Sequence, residues 1–350
     1  KAEALTSDHQ AKHYPHNPFR EVCLKAHLNS RRSTHKPGER SDDQLPPPKA
    51  PLQLLSTDDL ILRKTKTVSN VHASQTVRDA WSGLGCAYNV SERDENSHFK
   101  GLKHFGGPLG GKDADVVVKH DRDDSLANAV YSMGWHSEPS LPRFPHNTHH
   151  ERFHQSIRSV ARAALLQAGC EGDESSFPDV IPFSCVMLGP GITQRPPVLD
   201  HERGTPVEEQ KLNWTCWEAH HGGEPFTGPV QAFGRLCYVR EIGDAMQPNA
   251  VPHLFAGYEL ASGLRFRGAL KVFAYEPVLN NSPSRFSSKI VDYREIIFPA
   301  EVHFPLAAAR DLRLQTLGSF ALEEIPGHIV VSSVSERISC EKGAWATQEK

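Results

Sequence analysis

Residues 148–169 read THHERFHQSIRSVARAALLQAG, and their reading decides the rest. Thr148 is a helix N-cap type, and Glu151 follows three residues later, the spacing of a capping box. Phe153, Ile157, Val160, Ala161, Ala164 and Ala168 then recur at three and four residues, which winds one apolar stripe along a helix. Gly169 supplies a C-terminal cap. The pattern predicts one amphipathic helix over about 149–168.

Outward from that helix, the C-terminal side changes character. SCVMLG (184–189), GRLCYVREI (234–242), LFAGYEL (254–260), RGALKVFAYEPV (267–278), SKIVDYREIIF (288–298) and HIVVSSVSERI (328–338) are short runs rich in Val, Ile, Phe and Tyr. Pro, Gly and Asn separate them, so they read as strands. LAAARDLRLQTLGSF interrupts the series as a short helix closing at Gly318. On the N-terminal side, ADVVVKH (114–120) reads as a strand. SLANAVYSMG reads as a helix closed by Gly134, and SQTVRDAWSGLG as a short helix. A helix followed by strands, without regular βαβ alternation, predicts an α+β fold whose C-terminal half is a largely antiparallel sheet.

Residues 1–66 are polar, proline- and histidine-rich and mildly basic, and include Pro46-Pro47-Pro48. That composition offers too little apolar surface to offset the entropy of ordering, so it reads as a long extended arm. The domain reading is therefore an arm over 1–66 and an α+β body over 67–350, with a sub-boundary near 140–147. An arm of this kind gains order by lying across neighbouring chains.

The chain as a whole has 350 residues, a formal charge of −3 and a mean hydropathy of −0.48. The near-neutral charge excludes a global field that would draw the protein onto nucleic acid or an anionic membrane. No apolar run approaches the ~20 residues of a membrane span. The seven cysteines are scattered without a C-x-x-C pair, which suits free thiols in a reducing, intracellular compartment. The first residue is Lys1, so a mitochondrial or other organelle protein after removal of a transit peptide is one expectation.

The start of the helix also carries chemistry. His150-Glu151-Arg152-Phe153-His154 fits H-E-x-x-H, which places two imidazoles on one helical face with a carboxylate beside them. Over about 25 residues the chain resembles the zincin metallopeptidases. The resemblance implies His150, His154 and Glu174, in CEGDESSFPD, as zinc ligands, with Glu151 activating a zinc-bound water. Arg152 departs from that family's preference for an uncharged residue.

Other patterns are weaker. Gly106 to Lys112 in GGPLGGKD has the spacing of a phosphate-cradling loop, but Asp113 stands where Ser or Thr would bind magnesium. His220-His221, Asp200-His201-Glu202 and the arm histidines His9, His13 and His16 are ligand types with no evident scaffold. Arg31, Arg32, Lys64 and Lys66 could contact RNA phosphates. No G-x-S-x-G nucleophile motif occurs.

Two functional expectations follow. One is a non-catalytic structural or interaction subunit of a large assembly, such as an organelle complex or a viral shell, holding other subunits through residues 1–66 and needing no cofactor. The other is a zinc-dependent hydrolase using the HERFH helix.

Overall fold

The computed structural model describes residues 6–13, 17, 20–26, 48–62, 71–111, 114–139, 148–170, 177–191, 214–241, 249–275 and 288–323. It has the α+β architecture expected, with two five-stranded sheets.

The first sheet starts with an antiparallel meander of β1 (Leu54–Ile61), β2 (Ala73–Asp79) and β3 (Gly85–Val90). Helix α3 (Glu95–Gly106) leads to β4 (Val117–His120), which lies parallel to β1 on its free side. Helix α4 (Asp124–Met133) then leads to β5 (His136–Pro139), parallel to β4. The resulting order is β3-β2-β1-β4-β5. As predicted, α4 is closed by Gly134, whose φ of 76° is the left-handed conformation that glycine adopts without steric cost.

Two elements of this sheet differ from the sequence expectation. Strand β1 lies inside the segment assigned to the arm, and it is the central strand. Its alternation buries Leu55, Thr57 and Asp59, but the Asp58-Asp59 pair lowers intrinsic strand preference and conceals the pattern. SQTVRDA forms strand β2 rather than a helix. Its Ser74, Gln75 and Thr76 are fully buried between β1 and β3, whose backbones satisfy it on both sides.

Helix α5 (Thr148–Ala168) covers the first sheet and extends one residue further at its start than expected. Phe153, Ile157, Val160, Ala161, Ala164 and Ala168 are all buried, which is the apolar stripe read from the sequence. A β-carbon on Gly85 would lie 2.0 Å from the Phe153 ring, so glycine at the start of β3 is what lets α5 approach.

Helix α6 (Val180–Gly191) replaces the strand expected at 184–189. Ile181, Phe183 and Ser184 through Leu188 are buried on every side of this helix. An apolar run without a polar face gives the same periodicity signal for a buried helix and a buried strand. Pro182 is tolerated because it falls in the first turn.

The second sheet is antiparallel throughout and contains β6 (Leu236–Arg240), β7 (Ala250–Ala261), β8 (Arg265–Ala274), β9 (Lys289–Asp292) and β10 (Ile296–Ile297), in the order β10-β6-β7-β8-β9. Four of the expected strands fall here. Residues 328–338 and the expected sub-boundary at 140–147 lie outside the described residues. Phe183 of α6 packs against Phe233, Phe255 and Tyr258, joining this sheet to the layer beneath α5. Burying such aromatic side chains is worth roughly 1.5–3 kcal/mol each.

The β7–β8 turn is clasped to α3. The Gly263 N–H donates to the His104 carbonyl at 2.7 Å, and His104 Nε2 lies 2.9 Å from the Leu260 carbonyl.

Near the N-terminus, α1 (Ser7–Lys12) and α2 (Glu21–Ala26) are helical and pack on the body. Gln167 of α5 donates to the Gln10 carbonyl at 3.0 Å and also bonds Arg20. The described parts of the presumed arm therefore lie against their own chain. Residues 1–307 form one compact unit and 308–350 a second. A short helix α7 (Cys216–His220) belongs to the first unit, while helix α8 (Pro305–Glu323) passes through Gly318 without ending there. Among the described residues no helix is long and apolar enough to cross a membrane.

Candidate active site

Strands β1 and β4 run parallel, with Thr57 opposite His120. Asp121 follows directly on the last residue of β4, and Asp58 lies in the middle of β1 just past the last β1–β4 pair, so the two carboxylates come close enough for the charge of Asp121 to act on Asp58. Burial, followed by the negative charge of Asp121, pushes the Asp58 carboxyl up to about 7.

Helix α5 brings its first turn over the same place. Asp58, His150 and His154 each offer a ligand atom, and these atoms lie within 4.8 Å of one another. His150 Nδ1 is 2.8 Å from the Ser56 hydroxyl, and His150 Nε2 is 2.8 Å from Thr76 Oγ1. His154 Nε2 is 2.7 Å from the same Thr76 oxygen, while its Nδ1 is 3.9 Å from Asp58 Oδ2. Thr76 stands opposite Asp58 in the β1–β2 ladder and donates to the Asp58 carbonyl at 2.8 Å.

Both imidazoles are neutral. Burial, with His154 and Arg78 nearby, holds His150 well below its ordinary value. Burial and Arg158 bring His154 down to about 4. Glu151 is exposed and lies three residues before His154, at the solvent edge of the cluster. Arg158 lies four residues beyond His154 on the same stripe, and its buried Nε has no hydrogen-bond partner among the described residues.

The opposite face of β1 carries a supporting network. Asp59 accepts from Arg93 at 2.6 Å and lies 3.2 Å from His98 Nε2. Burial raises the Asp59 carboxyl, but the hydrogen bonds from His98 and Arg93 outweigh it and hold this group below its ordinary range. Arg93 also bonds Asp123, the cap of α4, so β1, α3 and α4 are tied together directly beneath Asp58.

The sequence-derived candidates divide as follows. His150 and His154 converge, and the carboxylate that joins them is Asp58. Glu174 lies outside the described residues, as do Asp200, His201, Glu202, His16, Arg31, Arg32, Lys64 and Lys66. Gly106 ends helix α3 and Gly107–Leu109 form a short 3₁₀ turn, whereas a phosphate loop needs a strand before it and a helix after it; Lys112 and Asp113 lie outside the described residues. His220 is drawn toward buried Asp79 at 3.5 Å, beside Ser82. The Ser82 hydroxyl is inaccessible, so these three form an internal polar knot rather than a nucleophile.

Sequence reasoning missed Asp58, Asp121 and Thr76. The signal available was an acidic residue just after an apolar run in both QLLSTDD and ADVVVKHD. It was hidden because the first run was placed in the arm.

A second ligand cluster correlates with α1 and α2. His9, His13 and Cys23 are buried, with ligand atoms within 4.8 Å of one another. His9 Nε2 is 3.3 Å and His13 Nδ1 is 3.6 Å from Cys23 Sγ. The scaffold that the sequence did not reveal is the helix pair, with His13 in the left-handed region at φ 50°. Two imidazoles and a thiol suit zinc.

Neither a family profile nor a curated protein matches the chain. Solved structures similar to it include a simian T-cell lymphotropic virus intasome in complex with PP2A regulatory subunit B56 gamma. That match has 13% identity and a TM-score of 0.34, covering 72% of this chain and 83% of that one. The HTLV-2 integrase catalytic core domain in complex with magnesium is 14% identical, with a TM-score of 0.34, over 49% of this chain and 99% of that one. The BIV integrase catalytic core domain is 16% identical, with a TM-score of 0.31, over 48% and 92%. Likeness at this level assigns neither a fold nor an activity to the chain.

Proposed function

We propose that this protein is a divalent-metal-dependent phosphoryl-transfer enzyme that acts on phosphodiesters of nucleic acid. The observation that carries the reading is the approach of Asp121, just past the end of β4, to Asp58 in the middle of the parallel strand β1, beside the imidazoles of α5. Asp58, raised to about 7 by burial and by the negative charge of Asp121, is relieved when a cation takes the place of its proton.

Asp58 and Asp121 would hold the metal, and His150 and His154 close the site from above. The bound metal would polarise a phosphoryl oxygen and lower the pKa of an attacking water. Glu151, at the open edge, is placed to orient that water or to complete the ligand set. Arg158 lies one turn beyond His154, and Arg152 and Arg162 lie exposed along the same helix. These cations supply locally the field that the overall charge of −3 does not.

Under this reading the zinc-peptidase arrangement is modified. The helix still contributes two imidazoles, but the acidic partner comes from β1, and a pair of carboxylates suits phosphoryl transfer.

The test is cleavage of labelled single- and double-stranded oligonucleotides with magnesium, manganese or zinc, beside Asp58→Asn and Asp121→Asn. Metal-dependent cleavage that both substitutions abolish supports the reading. No cleavage under any metal, together with no metal bound, refutes it.

A further inference from the structure

We infer that Thr76 is a positioning residue that fixes His154 as an Nδ1 ligand, so that the ion shared with Asp58 is a nitrogen-seeking transition ion such as zinc, taken ahead of magnesium. This rests on the metal site proposed above and names the ion it selects.

The argument is one of hydrogen-bond valence. A carbonyl oxygen can only accept, so the Thr76 hydroxyl spends its single proton on the Asp58 carbonyl at 2.8 Å. The two remaining lone pairs of Thr76 Oγ1 face His150 Nε2 at 2.8 Å and His154 Nε2 at 2.7 Å. Both imidazoles must therefore donate from Nε2, and each neutral ring is left with a bare Nδ1.

For His150 that lone pair is already met by the Ser56 hydroxyl at 2.8 Å. For His154 it faces Asp58 Oδ2 at 3.9 Å. That separation is too long for a hydrogen bond and falls within the span of two ligands on one ion, each ~2.1 Å from it. The directions agree along the whole chain: Ser56 to His150, His150 to Thr76, Thr76 to the β1 backbone, with His154 joining at Thr76. Metal-bound histidines carry this signature, in which the far ring nitrogen donates to a fixed acceptor and the near one is presented to the metal. An imidazole nitrogen beside a carboxylate favours zinc and its neighbours, whereas magnesium takes oxygen ligands almost exclusively.

The experiment is calorimetric titration of the metal-free full chain with zinc, cobalt and magnesium. All variants carry Cys23→Ser, which removes the separate His9/His13/Cys23 cluster. Long-range ¹H–¹⁵N spectra of the histidine rings report the tautomers. The expected result is zinc and cobalt binding at least about tenfold tighter than magnesium, with His154 in the Nε2–H form. Thr76→Val should cost about 10–100-fold in zinc affinity, leave magnesium little changed and disturb the His154 tautomer. Thr76→Ser should restore all three, and His154→Gln should abolish the zinc preference even if the valine variant folds poorly. Equal affinity for zinc and magnesium in the parent, or a zinc affinity indifferent to both Thr76→Val and His154→Gln, overturns the inference while leaving the metal site standing. Absence of any bound divalent ion overturns both.

Discussion

Asp58→Asn should make the metal-free protein more stable at pH 8. The Asp58 carboxyl is raised from an ordinary 3.8 to about 7. Between those values the folded chain keeps a proton that the unfolded chain has already released. Stability from this group therefore falls as pH rises through that window and is lowest above 7. A shift of ~3 units corresponds to ~4 kcal/mol at full weight. The side chain is 33% exposed, so solvent screening reduces this to about 1–2 kcal/mol. Asparagine keeps the shape and removes the charge. At ~2–4 °C per kcal/mol for a unit of this size, the midpoint should rise by roughly 2–8 °C at pH 8 in EDTA. The gain should shrink toward pH 4, where the wild-type carboxyl is protonated in the folded state. With Cys23→Ser in both backgrounds to remove the His9/His13/Cys23 cluster, divalent metal should then stabilise the protein that keeps Asp58 and leave the Asp58→Asn variant unmoved. Thermal unfolding at a series of pH values, with and without metal, measures all of this. A variant less stable than wild type at pH 8 in EDTA, or a gain independent of pH, would refute the reasoning.

Metal affinity should itself follow pH, rising about tenfold per unit from pH 5 to 7 as one proton leaves Asp58, then levelling; a flat profile by calorimetry would exclude Asp58 as a ligand. His154, brought down to about 4, should add a second proton to this dependence only below pH 5. Gly85→Ala would set a β-carbon 2.0 Å from the Phe153 ring, so it should cost ~1–3 kcal/mol and weaken metal binding by displacing α5; unchanged denaturation and affinity would contradict the close approach. Treating the protein with a zinc chelator should make Cys23, fully buried in the fold, reactive toward a thiol reagent. Equal reactivity before and after chelation, with no zinc by elemental analysis, would show that His9, His13 and Cys23 pack without an ion. Ile157→Ala, on the buried face of α5, should cost ~2–5 kcal/mol in chemical denaturation.

What was legible in the sequence is tied to periodicity. The stripe from Phe153 to Ala168 identifies α5 because one face is apolar and the other polar, and the aromatic and β-branched runs from 236 to 297 identify the second sheet. Periodicity fails where a segment is buried all round. Ser184 to Leu188 carries no polar face, so α6 reads as a strand, and Ser74 to Thr76 is polar yet wholly buried in β2. The histidine pair of the site was visible because a helix brings residues four apart together. Its carboxylates were not, since Asp58 and Asp121 are 63 positions apart in the numbering and meet only through the parallel pairing of β1 with β4. Likewise His9 and His13 looked unscaffolded because their support, Cys23, arrives with a separate helix.

Helix α5 touches both ligand clusters' surroundings. Its first turn presents His150 and His154 to Asp58, while Gln167 near its last turn bonds Gln10 of α1 and Arg20 at the start of α2, the two helices that carry His9, His13 and Cys23. Over its 21 residues this is a rod of roughly 30 Å. A stiff rod pinned at one end transmits tilt to the other, so an ion captured among α1 and α2 would fix the angle at which the imidazoles meet β1. The N-terminal helices would then act on the distant site as a brace, setting its alignment without touching it.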